Sequence, residues 1–258
     1  MKIYILRPHK SETVPKFLKH LNNCEEGYNY PENKCFVINY GRSYNKAHLN
    51  KSICTNKLSQ LLTLKECGIL VPDVLSFSPK DLLSYPSTTI KKFLTLDKFP
   101  IMARKEKHLK GTDIIFLKTR KSLWKRSRRV RTRDFFVKYI PKQAEFRVHV
   151  LGNEALNICQ KVPSENFSYP HPHVWSSPRG WTLEDYNGEY TGALAELGKK
   201  VARILHYDFG AVDIGLGKDG KFYVFEVNSA PRLNRIRRRI YCKYFRQKEK
   251  EFSHLSES

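Results

Sequence analysis

The chain has 258 residues, of which 40% are hydrophobic, enough for a sizeable core in one large domain or in two to three small lobes around a shared cleft. Lys and Arg number 47 against 25 acidic residues, and the formal net charge of +22 favours anionic partners: nucleotides, acidic peptides, nucleic acid or anionic lipid. No apolar run approaches the ~20 residues that a membrane-spanning helix needs, so no membrane partner is expected.

The opening "MKIYILRPHKSE" has an apolar stretch too short for a signal peptide and no small-residue cleavage site behind it, which predicts a soluble cytoplasmic protein. Residues 2–6 read as a short strand and residues 35–41 as a second, ended by Gly41. Residues 56–69 read as a helix, with Leu58, Leu61, Leu62 and Lys65 at 3–4 spacing and Gly68 as its stop. Residues 71–77 follow as a strand, and this β-β-α-β order predicts a small α/β lobe over residues 1–75. Cys24, Cys35, Cys54, Cys67, Cys159 and Cys242 form no C-x-x-C pair and no zinc spacing, so they read as reduced thiols.

Residues 99–105 and 112–119 read as a hairpin with a basic tip, "EKHLKG". In residues 118–133 nine of sixteen side chains are Lys or Arg, with no apolar period beyond Leu123 and Trp124, so this is a solvated segment or a binding element. Residues 134–140, 144–152 and 154–162 read as strands, followed by a loop rich in Pro, His and Ser to Trp181. A helix over 190–206 carries Leu194, Leu197, Val201, Ile204 and Leu205 on one face. Strands over 209–217 and 221–228 flank the turn "GKDG", and residues 232–250 add nine more basic side chains. The expected division is 1–75, 76–136, 137–236 and a basic tail over 237–258.

The last hairpin carries the chemistry. If Gly217–Gly220 closes tightly, Phe222, Val224, Glu226 and Asn228 share one face, with Asp213 opposite Val224 and diagonal to Glu226. Asp213, Glu226 and Asn228 then offer two carboxylates and an amide oxygen, the hard donors that magnesium takes. Carboxylates on neighbouring strands repel without a cation between them. The plainer alternative is a solvent-facing hairpin with ordinary acidic residues.

The run "DFGAVDIGLGKDGKFYVFEVNSAPRLN" resembles the C-terminal signature of the ATP-grasp superfamily, in which an Asp precedes a Glu-x-Asn and a short Pro-containing loop. Three upstream blocks agree in order: Asn56–Lys57 opening a helix before "GILVPDV", "FPIMARKEKHLKGTDI", and "FFVKYIPKQAEFRVHVLG". "VINYG" and "EFRVHVLG" further resemble the phage-encoded carboxylate–amine ligases, which would place the chain in a host cytoplasm. The resemblance implies an α/β (α+β) ATP-grasp fold, a small N-terminal lobe plus two lobes clasping ATP. It implies that Asp213, Glu226 and Asn228 hold one or two Mg2+ ions, with Mn2+ as the alternative, against the ATP phosphates. Lys57 and Arg104 would contact phosphates, Glu145 the ribose, and Lys138, Tyr139 and Ile140 the adenine. Arg147 and Lys161 would face the transferring phosphoryl group or the acyl phosphate. Glu145 with Arg147 could instead be a surface pair, Lys161 a strand-end lysine, and Lys57 an exposed residue of a first helical turn.

This sequence also departs from the family pattern. Arg104 stands where many members have Lys, Gly111 is the one glycine of its loop, Val137 replaces a common acidic residue, and Ala211 stands where amino-acid ligases often have Arg. His149 shares a face with Arg147, and His171 and His173 in the Pro-rich loop could gate substrate or bind a stray metal; all three read first as structural. The implied activity is an ADP-forming carboxylate–amine ligase working through an acyl phosphate, with ATP, a carboxylate and an amine as partners and an acidic peptide among the candidates. The alternatives are a phosphotransferase without an amine step, and a nucleic-acid-binding protein with a degenerate ATP site. The latter would use Trp124, Tyr241, Tyr244 and Phe245, interleaved with the basic stretches.

Overall fold

The computed structural model describes residues 1–7, 13–21, 23–80, 96–106 and 113–255. The expected phosphate-covering tip, including Gly111, lies outside them, apart from Glu106. The apolar strands β1 (Ile3–Leu6) and β3 (Phe36–Asn39) flank the short helix α1 (Val14–Leu18) and β2 (Cys24–Gly27), and form a parallel sheet in the order β2-β1-β3. The sequence reading missed α1 and β2. Helix α2 (Lys57–Glu66) follows, with Asn56 capping it by accepting from the amides of Leu58 and Ser59, and Gly68 beyond it at φ +74.

The expected apolar stripe on α2 is wrong in phase. Leu62 is 44% exposed, whereas Lys57, Gln60, Leu61 and Leu64 are buried. The rotation is set by polar docking on β11 (Phe222–Asn228), the end strand of the largest sheet. Gln60 accepts from the Val227 amide at 3.0 Å and donates to the Val227 carbonyl at 3.1 Å, while Leu70 O takes the Val224 amide at 2.9 Å. An open sheet edge is thereby covered.

The second sheet joins β4 (Ile101–Arg104), β5 (Ile115–Leu117) and β6 (Phe135–Lys138), antiparallel, in the order β5-β4-β6. The strand expected over 71–77 reduces to a single bridge, Val74 with Val137; Pro72 has no amide to give a ladder. The basic run 118–133 is not a featureless solvated segment. It holds two short helices, α3 (Arg120–Lys125) and α4 (Ser127–Val130), pinned by Leu123 and Val130 in the core of this sheet.

The third sheet runs β11-β10-β7-β8-β9 and comprises β7 (Lys142–Leu151), β8 (Glu154–Pro163), β9 (Trp181–Asp185), β10 (Phe209–Gly217) and β11. The sequence reading missed β9. Phe146, Val148, Val150, Val212, Ile214 and Leu216 line one face of the sheet and pack with Leu194, Val201 and Ala202 of α5 (Thr191–Ile204) in the main core. Residues 237–255, expected as a tail, lie in a 21-residue helix, α6 (Arg235–Leu255), whose Tyr241, Cys242 and Phe245 pack with Phe17, Tyr40 and Phe209. This helix joins the N-terminal lobe to the third sheet.

Candidate active site

The opposite face of the third sheet is charged and yet buried. On β7, Glu145, Arg147 and His149 alternate with the core residues, and β10 places Asp213 directly across from Arg147. The hairpin register differs from the tight-turn expectation: Asp213 pairs with Glu226, and Ala211 with Asn228. A bulge at Phe225 explains the change. Ile214 still pairs with Val224, so Phe225 is the extra residue. Val224 and Val227 therefore both enter the core, while Glu226 and Asn228 turn to the side of Asp213. A second shift pairs Leu216 with Ala144 but Gly217 with Lys142, which turns Lys142 onto the charged face. Gly215 lets the Phe225 ring lie over it: a Cβ there would come within 2.4 Å of that ring and force it to move.

The charged groups form one connected cluster. Arg147 grips Asp213 with two hydrogen bonds, Nε to Oδ1 at 2.6 Å and Nη2 to Oδ2 at 2.8 Å. Lys161 lies 3.6 Å from the same carboxylate, pairs with Glu145, and donates to the Trp175 carbonyl at 3.0 Å. Lys142 also pairs with Glu145, its ammonium lying 4.4 Å from the centre of the Trp175 ring. Arg104 reaches across from β4 to Glu226 at 2.8 Å, and Lys57 donates to the Val227 carbonyl at 2.7 Å. Asn228 donates its Nδ2 to Glu226 at 3.1 Å, which leaves its Oδ1 available to a ligand.

The sequence-expected residues Lys57, Arg104, Glu145, Arg147, Lys161, Asp213, Glu226 and Asn228 thus meet on one face or at its rim. Glu145 and Arg147 are not a surface pair: each is held by a different partner. Lys57 is likewise buried rather than exposed. Lys138 is exposed, and with Tyr139 and Ile140 it occupies the crossing from β6 to β7. The amides of Lys138 and Tyr139 already donate to the carbonyls of Asp73 and Pro100.

Five cations, Lys57, Arg104, Lys142, Arg147 and Lys161, surround three carboxylates, Glu145, Asp213 and Glu226. Burial pushes the Asp213 carboxyl up, but Arg147 and Lys161 outweigh it and hold the acid below its ordinary range. Burial would lower Arg147, and Asp213 raises it instead. Lys161 is likewise raised, with burial overcome by Asp213 and Glu145. Burial lowers Lys57 against the pull of Glu226, and lowers Lys142 against that of Glu145. These lysines share the cleft with an excess of positive charge, an environment made for a polyanion.

Sequence reasoning missed Lys142, Trp175 and Arg237, and read Tyr241 only as an aromatic of a possible nucleic-acid surface. Tyr241 of α6 stands over the sheet, its hydroxyl 3.0 Å from His149 Nδ1 and donating to the Gly210 carbonyl at 3.2 Å. His149 is 1% exposed, and burial followed by repulsion from Arg147 and Arg237 lowers its pKa to about 3, so its ring is neutral. Arg237 holds Asn157 Oδ1 at 2.6 Å and pairs with Asp185. The signal for both α6 residues was their 3–4 spacing with Phe245, obscured by the basic side chains between them.

His171 and His173 serve structure. His171 Nδ1 accepts from the amides of His173 and Val174, and the His173 ring stacks on Phe116 at 3.8 Å with Nδ1 3.1 Å from the Tyr139 hydroxyl. Among the described residues no group of three or more His, Cys, Asp and Glu could hold a metal by itself. Asp213, Glu226 and Asn228 carry the oxygen donors that magnesium takes alongside waters and phosphate oxygens, and in this structure Arg147 and Arg104 hold the two carboxylates.

No family model matches the sequence, and none of the curated proteins matches it. No helix among the described residues is long and apolar enough to cross a membrane. Solved structures do match. D-alanine–D-alanine ligase from Bacillus anthracis superposes with a TM-score of 0.71 at 14% identity, covering 97% of this chain and 99% of that one. The same enzyme complexed with ATP gives 0.65 at 17%, covering 90% and 86%. The ATP-grasp ligase PsnB complexed with minimal precursor gives 0.65 at 12%, covering 96% and 99%. The shared property at these identities is the fold: this chain has the mixed α/β fold of the ATP-grasp ligases.

Proposed function

We propose that the chain is an ATP-dependent carboxylate–amine ligase that forms ADP and works through an acyl phosphate. The observation that carries this reading is the convergence of Asp213, Glu226 and Asn228 with five cations on one buried sheet face. A buried charged face contributes little to folding, because desolvation offsets most of the ion-pair attraction; a phosphate-binding function accounts for it.

ATP would lie between the second and third sheets, its base near Tyr139 and Ile140 and its ribose within reach of Glu145. With the amides of Lys138 and Tyr139 already used, reading of the adenine edge falls to Ile140 and to carbonyls. Magnesium held by Asp213, Glu226 and Asn228 would neutralise charge on the phosphates as the γ-phosphoryl group moves. Release of Arg147 and Arg104 from their carboxylates would free two guanidinia to grip phosphate oxygens. A substrate carboxylate attacks the γ-phosphorus, the bond to the β-phosphate oxygen breaks, and ADP leaves. A neutral amine then attacks the acyl carbon and displaces inorganic phosphate, losing a proton to give the amide. Positioning and charge stabilisation by Arg147 and Lys161 supply the catalysis.

Glu226→Gln removes one anionic donor while keeping shape. Substrate-dependent ADP release is expected to fall by about 100-fold or more, measured by coupled ADP assay against pools of amino acids and peptides. Full retention sinks the reading. Trapping with hydroxylamine separates ligase from plain phosphotransferase, since only an acyl phosphate yields a hydroxamate.

A further inference from the structure

Beside the cleft lies a cationic surface that folding does not explain. Lys118, Lys121, Lys125, Arg126, Arg128 and Arg129 are exposed, and among the described residues none is paired with a carboxylate. Helices α3 and α4 need only Leu123 and Val130 to dock. Crowding like charges destabilises a fold unless a partner neutralises them.

This surface is tied to the proposed active site through β5, the end strand of its sheet. The carbonyls of Ile114 and Phe116 accept from Arg179 Nη2 at 2.8 Å and from Arg126 Nη1 at 3.2 Å. These bonds blunt the strand edge and leave the Arg126 guanidinium further donors for a ligand. Arg179 belongs to the segment that then crosses the cleft. His173 stacks on Phe116, and Trp175 receives Lys161, which in turn faces Asp213. A ligand on the cationic rim is therefore led to the group that handles phosphate.

We propose that this rim, the exposed faces of α3 and α4 together with Arg126 beside β5, docks an acidic peptide whose own Asp or Glu side chain is the carboxylate that reacts. The proposal rests on the ligase reading for its last clause. A lone amino acid would leave most of these cations unpaired. A nucleic acid would pair them but brings no carboxylate to phosphorylate. Of the aromatics set among the basic stretches, Tyr241 and Phe245 are buried in the core and only Trp124 is exposed, so those stretches by themselves build no stacking platform.

The test uses the full chain and a fluorescein-labelled oligoglutamate peptide, read by anisotropy at low salt. Lys125→Glu/Arg128→Glu/Arg129→Glu, confined to exposed side chains, is expected to weaken binding about tenfold or more, with circular dichroism confirming the fold. The milder Lys125→Gln/Arg128→Gln/Arg129→Gln, expected to lose about threefold, keeps the test decisive if charge reversal unfolds the helices. Arg239→Glu/Lys243→Glu/Lys250→Glu on α6 changes net charge equally and is expected to change affinity less than about twofold. Equal loss in both reversals, or an oligothymidylate of matched charge binding more tightly than the peptide, overturns the proposal. Binding of a fluorescent ATP analogue to the wild-type chain is read separately. No nucleotide binding beside rim-dependent peptide binding defeats the ligase reading and leaves the docking surface standing; nucleotide binding with rim-independent peptide binding defeats the rim.

Discussion

The two faces of the third sheet come from the same strands and are nearly equally buried, yet one is hydrocarbon and the other is charge. Phe146, Val148 and Ile214 are at most 1% exposed in the main core; Glu145 and Asp213, beside them in the chain, are 4% exposed on the other side. Burying the first set stabilises the fold at roughly 25 cal/mol per Å². Burying the second costs desolvation that ion pairing only about repays. Stability alone would have placed apolar residues on both faces, and that is the ground on which the proposed chemistry is assigned to the charged one.

The sharpest way to break that contrast is to make the charged face apolar. Asp213→Leu/Arg147→Met removes both partners of one buried pair. Ligase activity is expected to vanish from the coupled assay. Stability, measured by urea unfolding, is expected to equal wild type or to rise by up to about 4 kcal/mol. A large loss of stability instead would mean that the charged face is structural.

His149 offers a smaller effect with a distinctive sign. Its folded pKa of about 3 lies below the unfolded value of 6.5. Between those values the unfolded chain binds a proton that the folded chain refuses, so stability rises with pH across that window and levels off above it. The slope from this one group approaches about 1.4 kcal/mol per pH unit. His149→Asn should reduce the slope between pH about 5 and 6.5, with His48, His171 and His173, also lowered by burial, supplying the remainder. Urea unfolding at a series of pH values reads it. An unchanged slope would show that His149 is not the responsible group.

Much of this contrast was legible in advance, and the gaps have physical causes. Alternation on β10 and β11 pointed to Asp213, Glu226 and Asn228, but the bulge at Phe225 changed which residues oppose which, and a bulge leaves no mark in a period-two pattern. The "CEEG" of β2 has no apolar alternation to find, because parallel pairing with β1 makes it a strand. Helix α6 hid behind its eight Lys and Arg residues, although Tyr241 and Phe245 stood one turn apart. The Phe116–His173–Tyr139 contacts join three distant segments, and no local pattern encodes them. Lys57 and Gln60 broke the expected stripe of α2 because they bond the backbone of β11, an edge that sequence alone does not reveal.

The apolar face can be probed more gently where α5 crosses β7. Gly198 sits against Val148: a Cβ there would lie 2.7 Å from Val148 Cγ1 and 3.1 Å from its Cβ. Gly198→Ala therefore sets two effects against each other. Alanine favours the helix by about 1 kcal/mol over glycine. Overpacking a filled core costs about 1–3 kcal/mol, and here the obstacle is a β-branched side chain on a central strand, stiff at χ1. The second effect should win, leaving the variant about 1 kcal/mol less stable by urea unfolding, with binding of a fluorescent ATP analogue unchanged because Gly198 faces away from the charged cluster. A more stable variant would show that α5 can move off the sheet without loss, and that close packing of the apolar face is not what holds the charged face in register.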